Sequence, residues 1–510
     1  MACLKVFSGD LPELTNEIIK YFHDDYITLH SCILVNRLWC RLAIPLLWEN
    51  PFSIQFPKNY HFIEIYLHNL NDNDKTKLNE YGINNDLIPS NTLFNYSSFI
   101  QHLDTSNIIS SIESWGEAVR TSTTQISNFI KFIYRSLFQI FIENEVNLHS
   151  LEVVSSSSQE SKYFDDILKL NPNFFRNIKI LNLEDSFITA ETLTKFSTLL
   201  NSNCNSISSL YFKFPLYYND NNGHPTIEKS LSQIINSQES LRKILLGFSR
   251  FSLYHTLLSL KNSNCSNTLN TIIFYYVDFK NINILNEVFN QLNVLESIQI
   301  IFCQFLDTIF IPQIINITKP FKLKSLILNE ILQIESLLLL IQKFGNNIED
   351  FGFKIGINVS QQLLQLLESV IIYCSKIKIL YLPSGLNTSQ NINSLINLIE
   401  NIKQNLNYLL IDTNDNHLSS IILQNLGQIL PFKLEYLYLS LITNRSDLET
   451  FLKNSQNTFI KILVIKNTTK YESEDIFPYI EEYIIKKKRI KYLAILQTFL
   501  TSFLAKICLI

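Results

Sequence analysis

Leu434-Glu435-Tyr436-Leu437-Tyr438-Leu439 and Ile460-Lys461-Ile462-Leu463-Val464-Ile465 are two copies of one pattern, Φ-x-x-Φ-x-Φ, where Φ is a large apolar residue. The last Φ-x-Φ alternates with the period of two that belongs to a strand buried on one face. Reading backwards from these copies, the pattern starts again at Leu406, Ile377, Ile348, Leu323, Leu295, Leu269, Leu241, Ile207, Ile178 and Leu148. Reading forwards, it starts once more at Ile490. The thirteen starts are spaced by about 28 residues, and that period leaves room for one strand and one helix per unit. Between them lie segments with helical periodicity, such as Glu330 to Phe344 and Gln361 to Cys374. Ser446-Asp447-Leu448-Glu449 reads as a capping-box helix start. A 28-residue unit cannot bury both its strand and its helix alone, so neighbouring units must stack.

The period and strand pattern resemble leucine-rich repeats. That resemblance implies an α/β fold: a leucine-rich-repeat solenoid with a curved parallel β-sheet on its concave side and helices on its convex side. The asparagine or cysteine step of the family, eight residues after the first Φ, is met by Cys303 and Asn414, whereas Ser156, Ser186, Ser249, Thr468 and Thr498 occupy it in other units. That departure suits the longer, helix-rich repeats. The third, fifth and seventh positions of each strand point to the open side of the sheet. In the C-terminal units they hold Tyr381, Tyr408, Leu410, Tyr436 and Tyr438, the candidate substrate-binding residues. A tyrosine row fits a binding hot spot, and it fits plain β propensity equally well.

Ahead of the repeats, Asp10 to Phe52 reads DLPELTNEIIKYFHDDYITLHSCILVNRLWCRLAIPLLWENPF, with apolar stripes at helical spacing through Leu14, Ile18 and Phe22 and again through Leu29, Ile33 and Cys40. The opening Leu11-Pro12, the Val35-Asn36-Arg37-Leu38-Trp39 block and the closing Pro45-Leu46-Leu47-Trp48 resemble the F-box. The resemblance implies docking to the Skp-type adaptor of an SCF ubiquitin ligase, and through it to cullin and RING subunits. Its carried-over contact candidates are Leu11, Pro12, Ile18, Val35, Leu38, Trp39 and Leu42. Trp39 and Trp48 also suit internal packing of a helical hairpin.

The expected domains are an F-box over 8–52, a linker and N-terminal cap over 53–147, and the solenoid over 148–510. The cap has room for one irregular repeat at Phe99 to Leu103, and it includes an apolar helix from Ile126 to Ile142. Asn71-Asp72-Asn73-Asp74-Lys75 reads as a polar loop, and the tail after Ile490 as a last strand and a capping helix.

At 510 residues the chain exceeds the ~250–300 residues that one compact core supports. A net charge of −4 from 42 basic and 46 acidic residues lacks the basic face that nucleic acid requires. The tail carries Lys491, Gln497, Lys506 and other polar residues, against a membrane anchor, and the N-terminus has no signal-peptide apolar core. Eight cysteines without close pairs and nine scattered histidines give no metal-ligand spacing and no disulfide framework. No phosphate loop, dinucleotide fingerprint or nucleophile elbow is present. The expectation is therefore a non-catalytic cytoplasmic or nuclear protein with no metal, cofactor, nucleic acid or membrane partner, and the F-box resemblance implies the substrate-recognition subunit of an SCF-type ligase, acting by tethering a protein target. The competing readings are a leucine-rich-repeat scaffold or regulator outside any ligase, and an array that holds a small ligand on its open face.

Overall fold

The computed structural model describes residues 12–23, 25–54, 60–119, 126–155, 157–185, 187–213, 224–247, 253–262, 264–280, 282–306, 309–328, 334–353, 360–382, 388–467, 482–483, 489–499 and 502–509. The chain divides into two compact units, Met1–Ile244 with Asn262–Leu269, and Leu245–Lys261 with Asn270–Ile510.

The first unit opens with three helices, α1 (Pro12–Lys20), α2 (Tyr26–Cys32) and α3 (Arg37–Leu47). Side-chain caps start two of them: Asp25 Oδ1 accepts from Thr28 N at 3.0 Å, and Asn36 Oδ1 accepts from Trp39 N at 2.9 Å. Their apolar stripes close on one another around Ile19, Leu29, Cys32, Trp39 and Ala43, with Phe22, Ile33 and Leu42 packed against that cluster. Trp48 then leaves α3 and lies on Tyr66 and Tyr96, with ring centroids 5.5 and 4.2 Å away.

The segment expected as linker and cap is largely helical, and the apolar helix expected from Ile126 to Ile142 spans Ile126–Glu143. Helices Phe62–Leu67, Thr105–Val119 and Ile126–Glu143 bury Tyr66, Trp115, Phe138 and Phe141, and Trp115 Nε1 donates to Glu64 Oε1 at 3.0 Å inside that layer. The stretch read as a polar loop is a helix, Asp72–Glu80, capped by Asn71, whose Oδ1 accepts from Asp74 N at 2.9 Å. Its only buried side chain is Leu78, so its polarity reflects a solvated face rather than a loop.

Strand β1 (His102–Asp104) precedes the thirteen repeats. The strands that follow are β2 (Ser150–Ser155), β3 (Ile180–Asp185), β4 (Ser209–Lys213), β5 (Lys243–Gly247), β6 (Thr271–Tyr275), β7 (Ser297–Cys303) and β8 (Lys322–Leu328). After them come β9 (Asp350–Phe353), β10 (Ile379–Leu382), β11 (Tyr408–Asp412), β12 (Lys433–Leu441), β13 (Phe459–Asn467) and β14 (Ile490–Phe499). Each of β2 to β14 falls on one of the thirteen pattern starts, and each interval from β2 to β13 contains a helix. Within each unit the strands pair in chain order and in parallel, as with Leu151↔Leu181↔Leu210 in the first and Leu409↔Leu437↔Leu463 in the second. This is an α/β protein, a helical N-terminal region followed by a repeating parallel strand–helix array of leucine-rich-repeat type.

The Φ-x-Φ leucines, such as Leu437 and Leu439, are fully buried beneath the sheet, and the repeat helices bury matching stripes such as Ile392, Leu395, Leu398, Ile399 and Ile402. Each such side chain contributes about 1.5–3 kcal/mol of transfer free energy, which makes stacking compulsory. The cap expected at Ser446 lies two residues earlier, at Asn444, whose side chain accepts from Asp447 N at 2.8 Å.

Among the described residues no helix follows β14. After β14 the chain turns back as β15 (Ser502–Leu509), antiparallel to β14 with Leu493↔Cys508 and Ile495↔Lys506 in register. The tail alternates and is rich in β-branched and aromatic residues, which favours a hairpin over the expected helix. Among the described residues no helix is long and apolar enough to cross a membrane.

Candidate protein-interaction surfaces

The N-terminal hairpin turns apolar side chains outward as well as inward. Leu14, Tyr21, Ile27, Leu34 and Val35 are exposed, with Tyr21 at 88%, Ile27 at 83% and Leu34 at 75%. Among the described residues no other stretch of this length carries as many exposed large apolar side chains. Of the residues carried over from the F-box resemblance, Pro12 and Val35 are exposed, while Ile18, Leu38 and Leu42 are half-buried. Leu42 leans on the hairpin core, and Trp39, 7% exposed, belongs to that core. Trp39 therefore shapes the hairpin from within, because it packs in one cluster with Ile19 of α1 and Leu29 and Cys32 of α2. Leu11 lies outside the described residues. Tyr21, Ile27 and Leu34 were not among the candidates; their signal is an apolar residue off the buried stripe of α2, for Ile27, or in the turn just after a helix, for Tyr21 and Leu34.

The open face of the second unit is aromatic. Register places Tyr408 beside Tyr436, with ring centroids 6.3 Å apart, and Ile462 and Tyr492 continue that row. The next row runs Gly352, Tyr381, Leu410, Tyr438 and Val464. Tyr408 and Tyr438, both candidates, are thus diagonal rather than side by side. Burial first, then the neighbouring phenols and Asp412, holds the Tyr381 hydroxyl above the usual tyrosine range. Burial does the same to Tyr436. Both stay neutral and able to donate hydrogen bonds.

Tyr381 leans across Gly352 to reach Phe302, with ring centroids 5.6 Å apart. Phe302 in turn meets Tyr276 at 5.0 Å, and Tyr276 meets Tyr275 at 4.9 Å. Tyr276 and Phe302 both have left-handed backbone, φ 54° and 53°, in adjacent repeats, and the β7 register slips between Ile301 and Cys303. Simple alternation would have turned both rings inward, and the positive φ brings them instead to the aromatic cluster. A side chain at Gly352 has no room, since a Cβ there would lie 2.5 Å from the Tyr381 carbonyl oxygen.

The open face of the first unit is charged instead. Asp104, Glu152, Asn182 and Tyr211 form one row across β1 to β4, and Val154, Glu184 and Lys213 the next. Asn182 Nδ2 donates to Glu152 Oε1 at 2.5 Å, and Lys213 Nζ pairs with Glu184 at 2.6 Å. Burial raises the Asp104 carboxyl although the amides of Ser106 and Asn107 donate to it. Burial, then the charge of Asp104, raises Glu152.

The buried thiols have no nucleophilic character. Burial pushes Cys303 and Cys374 up to about 12, so both remain protonated, as structural core cysteines do.

Comparison with protein-family models and with curated proteins gives no match to this chain, so the likeness to the F-box and to leucine-rich repeats rests on the residues quoted.

Proposed function

We propose that this chain is a substrate-recognition subunit of an SCF-type ubiquitin ligase: the N-terminal hairpin holds the Skp-type adaptor, and the repeat array holds a protein target. The observation that supports this reading is the hairpin's outward apolar set, Leu14 and Ile27 on its helices and Tyr21, Leu34 and Val35 in the turns that follow them, around a core that is already complete. A closed hairpin core needs no such side chains, and a surface of this kind is what a partner covers. The chain itself performs no chemistry in this account. It acts by proximity, raising the effective concentration of target lysines near the ubiquitin-charged conjugating enzyme. The target side of the proposal is the aromatic row Tyr408 and Tyr436 with Tyr381, Leu410 and Tyr438 beside it, since rigid aromatic anchors dominate protein interfaces.

A trapping experiment tests both halves. Leu34→Asp with Val35→Asp disables adaptor capture and leaves the array intact, so a target that is normally ubiquitinated and released accumulates on this variant relative to wild type. Adding Tyr408→Ala and Tyr436→Ala removes the trapped protein. Identical partners on wild type and on the hairpin variant, with no adaptor on either, would place the chain outside a ligase.

A further inference from the structure

Three side chains from three separate elements meet where the hairpin joins the first strand. His23 follows α1, Glu49 follows α3 and His102 opens β1. His23 Nε2 lies 2.6 Å from Glu49 Oε1, and one donor atom from each of the three residues falls within 4.8 Å of the other two. The backbone fixes this meeting: the Glu49 carbonyl accepts from the N–H groups of Gln101 at 3.0 Å and His102 at 3.2 Å. Glu49 is buried, whereas His23 is half exposed, so the group has a charged floor and an entrance from solvent.

The donor set is two imidazoles and one carboxylate. The His102 imidazole is half-buried at the start of β1. The His149 ring stands edge-on to it, with centroids 5.8 Å apart.

We propose that His23, Glu49 and His102 bind one divalent transition-metal cation of the zinc class, which fastens the N-terminal hairpin to the first strand. Nitrogen donors with a single carboxylate suit Zn²⁺, Co²⁺ or Ni²⁺, whereas Mg²⁺ and Ca²⁺ require oxygen-rich shells. Metal–ligand bonds of about 2.0–2.2 Å require only small side-chain rotations to close this group around an ion. Coordination uses the His23 tautomer with its hydrogen on Nδ1, and water completes the shell. The cation would bridge residues far apart in sequence, so it acts on the attachment of the hairpin and not on the repeats.

Co²⁺ is the probe for the test. The full-length chain, stripped by chelation and dialysed, is titrated with Co²⁺ and followed by visible absorption and by melting temperature. The expected result is a d–d band that saturates at one equivalent, shows no thiolate charge transfer, is displaced by Zn²⁺ and is accompanied by a raised melting temperature. Mg²⁺ has no such effect. His102→Ala weakens binding at least tenfold. So does His23→Ala, a half-exposed position whose variant should melt like wild type in chelator. His149→Ala leaves the band in place. No one-equivalent band, a thiolate-type spectrum, or a band unchanged in both His23→Ala and His102→Ala overturns the assignment.

Discussion

Glu152 holds its carboxylate on the open face between Asp104 and Asn182, where burial and the charge of Asp104 raise its pKa. A carboxyl whose folded pKa lies above its unfolded one weakens the fold once ionised, and the penalty fades as pH falls through the folded pKa. Glu152→Gln keeps an acceptor for Asn182 and removes the charge. The variant should melt higher than wild type at neutral pH, and the gain should shrink toward the ordinary carboxylate range; a difference independent of pH would refute this electrostatic origin. Gly352 makes the opposite kind of prediction, because its place in the row is set by the backbone of Tyr381. Gly352→Ala should cost roughly 1–3 kcal/mol in denaturant unfolding, the usual range for overpacking. At this scale the sequence was only partly legible. Tyr408, Tyr436 and Tyr381 follow from strand alternation, but Phe302 and Tyr276 reach the open face through left-handed backbone that alternation does not announce. His23, Glu49 and His102 have no short spacing to betray them, since only tertiary pairing brings them together.

Strands were the most legible elements. Each Φ-x-x-Φ-x-Φ start became a parallel strand because its period of two and its burial agree, as at Leu409 and Ile411. Elements whose pattern is not set by the core were harder to read. The helix Asp72–Glu80 buries a single residue, and its Asn71 cap resembles loop chemistry. The C-terminal hairpin escaped because β15 caps the array by pairing with an edge, a role any alternating segment can fill. That pairing makes a prediction. A chain ended at Asn467 presents the nine-residue β13 as an open edge in place of its register with β14. It should form concentration-dependent oligomers in light scattering where the full chain does not; a monomeric truncation with an unchanged melting temperature would show that the edge needs no cover.

At the scale of the molecule, the repeat architecture and the helical start were both expected from sequence, and what they are for turns on the hairpin surface. Repeats interact chiefly with their neighbours, so damage at residues 14–35 should stay local. The decisive measurement is titration calorimetry of the full-length chain against a purified Skp-type adaptor, for wild type and for the Leu34→Asp, Val35→Asp variant. The account predicts a one-to-one complex with wild type, heat that falls to baseline with the variant, and the same melting temperature for both chains. No heat with wild type, or equal affinity for the two, would contradict it.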